Sequence, residues 1–192
     1  VLLQNNLIYN LQMNPVTIGL IPLFVVIAYG MIIPKTITDS IICLNAHGSL
    51  LPLYRGASPI QAALLNGDSQ TGITIIKMDD KMDHGPIANQ AIISIAPSTR
   101  FEELHNSLSE LAAEEMIKTV IACAQNSVSL TPQLHAQASY CSKLTTTDRC
   151  ITQTDAPSTI YRKIKAFSPK PGAYIEINNH RIGLIDATII DQ

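Results

Sequence analysis

The longest uncharged apolar stretch of the chain runs from Val16 to Ile33 and reads VTIGLIPLFVVIAYGMII. Its length lies at the lower edge of a membrane-spanning helix. Gly19, Pro22, Gly30 and the β-branched run before Gly30 argue instead for a strand, Leu23 to Gly30, buried on both faces of a parallel sheet. Ser40–His47, SIICLNAH, predicts a second strand, Gly72–Asp79, GITIIKMD, a third, and Pro86–Ile95, PIANQAIISI, a fourth. Between the second and third lies GASPIQAALLNG, a short helix with its own punctuation. Ser58 can cap it, Pro59 suits the first helical position, and Gly67 can end it.

A long helix follows the fourth strand. Thr99 and Glu102 form a T-x-x-E capping box. Phe101, Leu104, Leu108, Leu111, Ile117, Val120, Ile121 and Ala124 predict its core-facing stripe as far as Gln125. Ser127–Thr147 reads as an extended loop, and a further helix begins at Asp155 or Ser158 and ends near Phe167. After the breaker SPKPG, the segment AYIEINNHRIGLIDATII predicts a hairpin turning at Asn178–Asn179. Strands alternating with helices in this way predict an α/β fold with a mainly parallel sheet.

Composition narrows the class. Hydrophobic residues make up 46% of the 192 and charged residues 15%, which suits a packed core and excludes disorder. The net charge of −2 gives the chain no overall attraction to nucleic acid. The balance is uneven: residues 1–140 carry 6 Lys/Arg against 10 Asp/Glu, and residues 141–192 carry 7 against 5. Cys43, Cys123, Cys141 and Cys150 have no C-x-x-C spacing and read as reduced thiols of a cytosolic protein. The opening VLLQNNLIYN has no basic region of a signal peptide.

The candidate chemistry lies at strand ends. In open α/β sheets, ligands sit beyond the carboxyl ends of the strands. Asn45 and His47 close the second strand, and the acidic loop MDDKMDHGP, Met78–Pro86, follows the third. An amide, an imidazole and carboxylates would thus meet. Acyl transfer between nitrogens needs such a set: donors for the oxygen that gains negative charge, a proton shuttle, and a carboxylate to orient the imidazole. A nucleophilic Ser or Cys is unnecessary when the substrate supplies the amine. Asn and His near a turn also serve as plain hydrogen-bonding loop residues. Asp79, Asp80 and Asp83 could bind Mg²⁺, but the intervening Lys81 argues against it. His84, His105, His135 and His180 have no ligand spacing.

Five blocks, in order, carry a resemblance: AYGMIIP (Ala28–Pro34), LNAHGSLLPLYRGASPIQAALLNGD (Leu44–Asp68), TGITIIKMDDKMDHGPI (Thr71–Ile87), YCSKLT (Tyr140–Thr145) and KAFSPKPGAY (Lys165–Tyr174). From about residue 22 onward the chain resembles the methionyl-tRNA formyltransferases, within the wider family of folate-dependent formyltransferases. The resemblance implies a Rossmann-like, mainly parallel formyltransferase sheet lacking its N-terminal part, followed by the start of a C-terminal β-barrel. It implies a partial catalytic domain over residues 1–140, then a linker helix and the beginning of the barrel over 141–192. By position, Asn45, His47 and Asp83 match the family's catalytic residues. Ser49, Leu50, Leu51 and Pro52 match its tetrahydrofolate-contacting loop, and Tyr29, Met31 and Ile33 another wall of that pocket. The implied co-substrate is 10-formyltetrahydrofolate, without a metal, and the implied acceptor is initiator methionyl-tRNA, in translation initiation. A cytoplasmic monomer without membrane contact is expected, shorter than family members at both ends. Lys81 stands where many members have Gly, His84 where many have Thr, and Lys170 replaces a common aromatic. Three other readings stay open: an amino-sugar or nucleotide-sugar formyltransferase, a non-catalytic fragment that at most binds folate, and a small protein anchored through Val16–Ile33.

Overall fold

The computed structural model describes residues 22–27, 33–188 and 190. In chain order the elements are β1 (Leu23–Val26), α1 (Lys35–Thr38), β2 (Ile42–His47), β3 (Arg55–Gly56), α2 (Pro59–Asn66), β4 (Gln70–Lys77), β5 (Ile87–Ser94), α3 (Phe101–Ala124), β6 (Tyr140–Cys141), β7 (Cys150–Ile151), α4 (Pro157–Phe167), β8 (Ala173–Ile177) and β9 (His180–Leu184). The main sheet has the order β1-β2-β4-β5. β1 and β2 pair in parallel, and this pair carries the expected parallel pairing. β4 runs antiparallel to both β2 and β5, with a register shift at Ile75/Ile76. The loop from β4 to β5 is short and holds no crossover helix, so β5 can return only antiparallel. β3 pairs with β6, and β7-β8-β9 form a separate small sheet.

Local signals account for several elements. α2 begins with Pro59 and ends at Gly67, whose φ of 74° places it in the left-handed region that favours glycine. Ser58 occupies the cap position, although its hydroxyl makes no capping bond. The β8–β9 hairpin turns at Asn178 and Asn179, both at positive φ (50° and 63°), as a tight two-residue turn requires.

Three expectations need correction. Leu23–Val26 is a strand, but Val25 is 45% exposed, so the strand is half-buried rather than covered on both faces. Residues 16–21 and 28–32 of that apolar stretch lie outside the described residues. Among the described residues, no helix is long and apolar enough to cross a membrane. At the start of α3 the capping position moves by one residue: the Arg100 N–H donates to Glu103 Oε2 at 3.0 Å, in place of the Thr99–Glu102 box. The α3 stripe also differs along its second half. Ile117 and Ile121 are exposed, while Glu115, Met116, Thr119 and Cys123 face inward. Glu115 tolerates burial because Asn89 and Lys118 donate to its carboxylate.

The principal core joins Leu44 of β2, Ile73 and Ile75 of β4, Ala63 and Leu64 of α2, Leu104 and Leu108 of α3, and Ala166 and Phe167 of α4. A smaller cluster, Ile151, Ile164 and Ala173, packs beneath β7 and β8. The first core matters for function because Leu44 anchors β2 in it beside β4.

Candidate active site

β2 drives Cys43 and Leu44 fully into the core and ends at His47, which is 6% exposed. Strand alternation puts Asn45 and His47 on one face. That face opens into a cleft of about 720 Å³. Val26, Ile33 and Ile60 line one part of it, Leu108 and Ala112 of α3 another, and Met78, Asp79, Lys81, Met82 and Asp83 close the side formed by the loop after β4. The size and the apolar lining around a few polar groups suit a small organic ligand.

The loop after β4 delivers Asp83 to His47. Asp83 adopts a left-handed conformation with φ 49°. The Gly56 N–H donates to its Oδ2 at 2.8 Å, and its Oδ1 lies 3.5 Å from His47 Nδ1. His47 Nε2 lies 2.9 Å from the Tyr54 carbonyl oxygen. The Tyr54 carbonyl can only accept, so Nε2 donates to it, and Nδ1 is left facing the Asp83 carboxylate. The Asn45 amide, on the same strand face as this ring, can hold an oxygen that gains negative charge. Asp83 orients the ring from its Nδ1 side, and the apolar walls keep such polar interactions strong.

Of the residues expected at the site, Asn45, His47, Asp83 and Ile33 line this one cleft. Tyr29 and Met31 lie outside the described residues. Ser49, Leu50, Leu51 and Pro52 are not among the lining residues of this cleft. Ser49 and Leu51 are buried. The Ser49 hydroxyl donates to Leu53 O at 2.6 Å, and the Thr74 hydroxyl donates to Ser49 O at 2.6 Å while accepting from Leu51 N–H at 3.1 Å. In this conformation the loop shapes the turn that returns Tyr54 to His47. His84 faces away from the cleft: its ring stacks on His135, with centroids 4.0 Å apart, and its Nδ1 meets Asp79 Oδ2 at 2.7 Å.

Two polar partners of the site carried no sequence signal as such. The Gly56 amide is visible only as half of an Arg-Gly pair. Gln133 donates to the carbonyls on either side of His84, those of Asp83 and Gly85, from deep within the long loop. Among the described residues, no group of three or more His, Cys, Asp or Glu side chains is placed to hold a metal ion.

Comparison with known proteins identifies the family and the fold. The methionyl-tRNA formyltransferase of Kosmotoga olearia is 38% identical over 172 residues, covering 88% of this chain and 55% of the relative. That of Bartonella henselae is 42% identical over 156 residues, covering 80% and 50%. The chain thus spans about half the length of the curated relatives it matches. The fold resembles that of HypX from Aquifex aeolicus in complex with tetrahydrofolic acid, with TM-score 0.74 and 18% identity over 85% of this chain and 29% of that one. It also resembles a 4-N formyltransferase from Francisella tularensis, with TM-score 0.76 and 18% identity over 88% of this chain and 71% of that one. Residues 15–120 match the formyl transferase family, residues 143–192 match the formyl transferase C-terminal domain, and the chain belongs to that family.

Proposed function

We propose that the cleft is a formyl-transfer site, taking its formyl group from 10-formyltetrahydrofolate and passing it to the α-amino group of methionyl-initiator tRNA. The observation that carries the reading is the convergence of Asn45, His47 and Asp83 on one apolar cleft. The relatives' names support the tRNA acceptor, since the similarity to them is 38–42% identity. The domain reading fits the two family matches: residues 1–140 form the catalytic part, and residues 141–192 form the linker helix and the start of the C-terminal domain.

The cleft residues suit the folate donor. Val26, Ile33, Ile60 and Leu108 offer apolar surface for a flat heterocycle, and Asn45, His47 and Asp83 line the same cleft. Asn45 would donate to the formyl oxygen as the acceptor amine adds to the formyl carbon. Asp83 would hold the His47 ring in its orientation. The new carbon–nitrogen bond forms as the bond to the folate nitrogen breaks. The proton lost by the attacking amine replaces the formyl group on that nitrogen, with His47 placed to relay it.

The test combines binding and turnover. A melt with 5-formyltetrahydrofolate at ~100 times its dissociation constant should stabilise the chain by roughly 2.7 kcal/mol. Transfer to methionyl-tRNA should exceed transfer to amino-sugar nucleotides. His47→Ala should lose transfer by orders of magnitude while analogue binding survives, and Asp83→Asn should slow it. Equal rates in wild type and His47→Ala would sink the mechanism. A folded chain that ignores the analogue would sink the folate reading.

A further inference from the structure

We propose that Gln133 and Arg55 are positioning residues that clamp Asp83 against His47, an inference that rests on the proposed role of Asp83. Asp83 is held in a left-handed backbone conformation, which Asp tolerates better than most L-residues but which its surroundings must still favour. Its carboxylate is tied to the Gly56 N–H, but one bond to a side chain does not fix a loop. The backbone restraint comes from Gln133, far along the chain. Its Nε2 donates to the Asp83 carbonyl at 2.9 Å and to the Gly85 carbonyl at 2.7 Å.

Arg55 determines which way that amide points. Gln133 Oε1 accepts from Arg55 Nε at 3.2 Å and from Nη2 at 2.6 Å. A flipped amide would set its oxygen against two carbonyls and its NH₂ against the guanidinium, so the guanidinium enforces the donating orientation. Arg55 is 2% exposed and Gln133 5%. The other partners of the guanidinium are neutral: Tyr140 OH at 3.3 Å and His135 Nδ1 at 2.9 Å. His135 must accept there, which requires a neutral ring. Desolvation, then the neighbouring His84 and Arg55, hold its pKa below the ordinary value.

The arrangement closes a ring. Arg55 acts through Gln133 on the backbone of the loop, and its chain neighbour Gly56 acts directly on the carboxylate. β3 therefore reaches Asp83 from two sides. Neither Arg55 nor Gln133 lines the cleft, so both act through Asp83 rather than on a ligand.

The test reads the Gly56 amide proton in the ¹⁵N-labelled full chain at neutral pH. Asp83→Asn defines the displacement that follows loss of the charged acceptor. Gln133→Met keeps the side-chain length but has no donor. Gln133→Glu keeps an acceptor for Arg55 but cannot donate to the two carbonyls. Both should move the Gly56 signal in the direction set by Asp83→Asn while a cooperative melt persists. A Gly56 signal that stays in place in either folded variant overturns the proposal. Unfolding of both variants assigns Gln133 to the stability of the whole fold and overturns it as well. None of these readings needs turnover, so an inactive wild type would refute formyl transfer and leave the clamp to be judged on Gly56 alone. In an active wild type, both variants should lose kcat on the order of 100-fold with donor KM changed by less than about threefold. A raised KM with kcat intact would overturn the positioning role.

Discussion

Thr74 offers a sharp test of how the loop beside the site is held. It is fully buried on β4. Its hydroxyl donates to Ser49 O at 2.6 Å and accepts from Leu51 N–H at 3.1 Å and Gln90 Nε2 at 2.8 Å. Thr74→Val preserves shape and removes the hydroxyl. Gln90 keeps its bond to Leu51 O, so it is not orphaned. The Ser49 carbonyl and the Leu51 N–H lose their partner in a dry environment, at about 1–3 kcal/mol each. The sum, about 3 kcal/mol after partial relaxation, should lower the melting temperature by roughly 6–12 °C for a chain of this size. Thr74→Ser keeps the hydroxyl and loses a methyl group, at about 1 kcal/mol. Urea unfolding followed by circular dichroism compares the three proteins at equal m-value. A Val variant as stable as wild type, or a Ser variant less stable than the Val one, would refute the bracing role.

Gly85→Ala would place a Cβ 1.9 Å from the Lys77 carbonyl oxygen, so backbone must move. A loss of roughly 2 kcal/mol in a thermal melt, with weakened binding of 5-formyltetrahydrofolate, is expected; a tolerated alanine would contradict the tight return of the Asp83 loop. Asp155 accepts from Lys163 Nζ and from the Thr152 N–H, both at 2.9 Å. The Lys163 bond first and the Thr152 bond second hold its carboxyl below the usual carboxylate range. Its folded pKa therefore lies below the unfolded value, and its contribution exists above the unfolded pKa and fades as pH falls through the folded one. Asp155→Asn should cost about 1 kcal/mol at neutral pH, and the gap to wild type should close as pH drops below about 4; a gap unchanged by acid would refute the assignment.

Elements specified by their own residues were legible. Pro59 and Gly67 bracket α2, and Asn178–Asn179 turn the hairpin, because helix entry, left-handed helix exit and positive-φ turns depend on the residues that occupy them. Asn45 and His47 were legible for a similar reason: two residues apart on one strand, they share a face whatever surrounds them. The second half of α3 was not. Apolar residues recur at helical spacing on more than one side of that helix, and which side is buried was decided by the sheet and by Asn89, which made a glutamate acceptable inside and left Ile117 and Ile121 outside.

What the sequence by itself determined is the set of local choices: the α/β alternation, the turns, and an imidazole and amide at the end of β2. Tertiary structure alone decided that β4 runs antiparallel to β2 despite the helix between them, that Thr74 holds the Ser49–Leu51 backbone, and that Gln133 lies against Asp83. The division has a physical cause. Backbone preferences act within a few residues and leave a mark in composition and spacing. A hydrogen bond between residues 50 positions apart exists only once packing has brought them together, and a glutamine in a loop looks the same before that happens as any other.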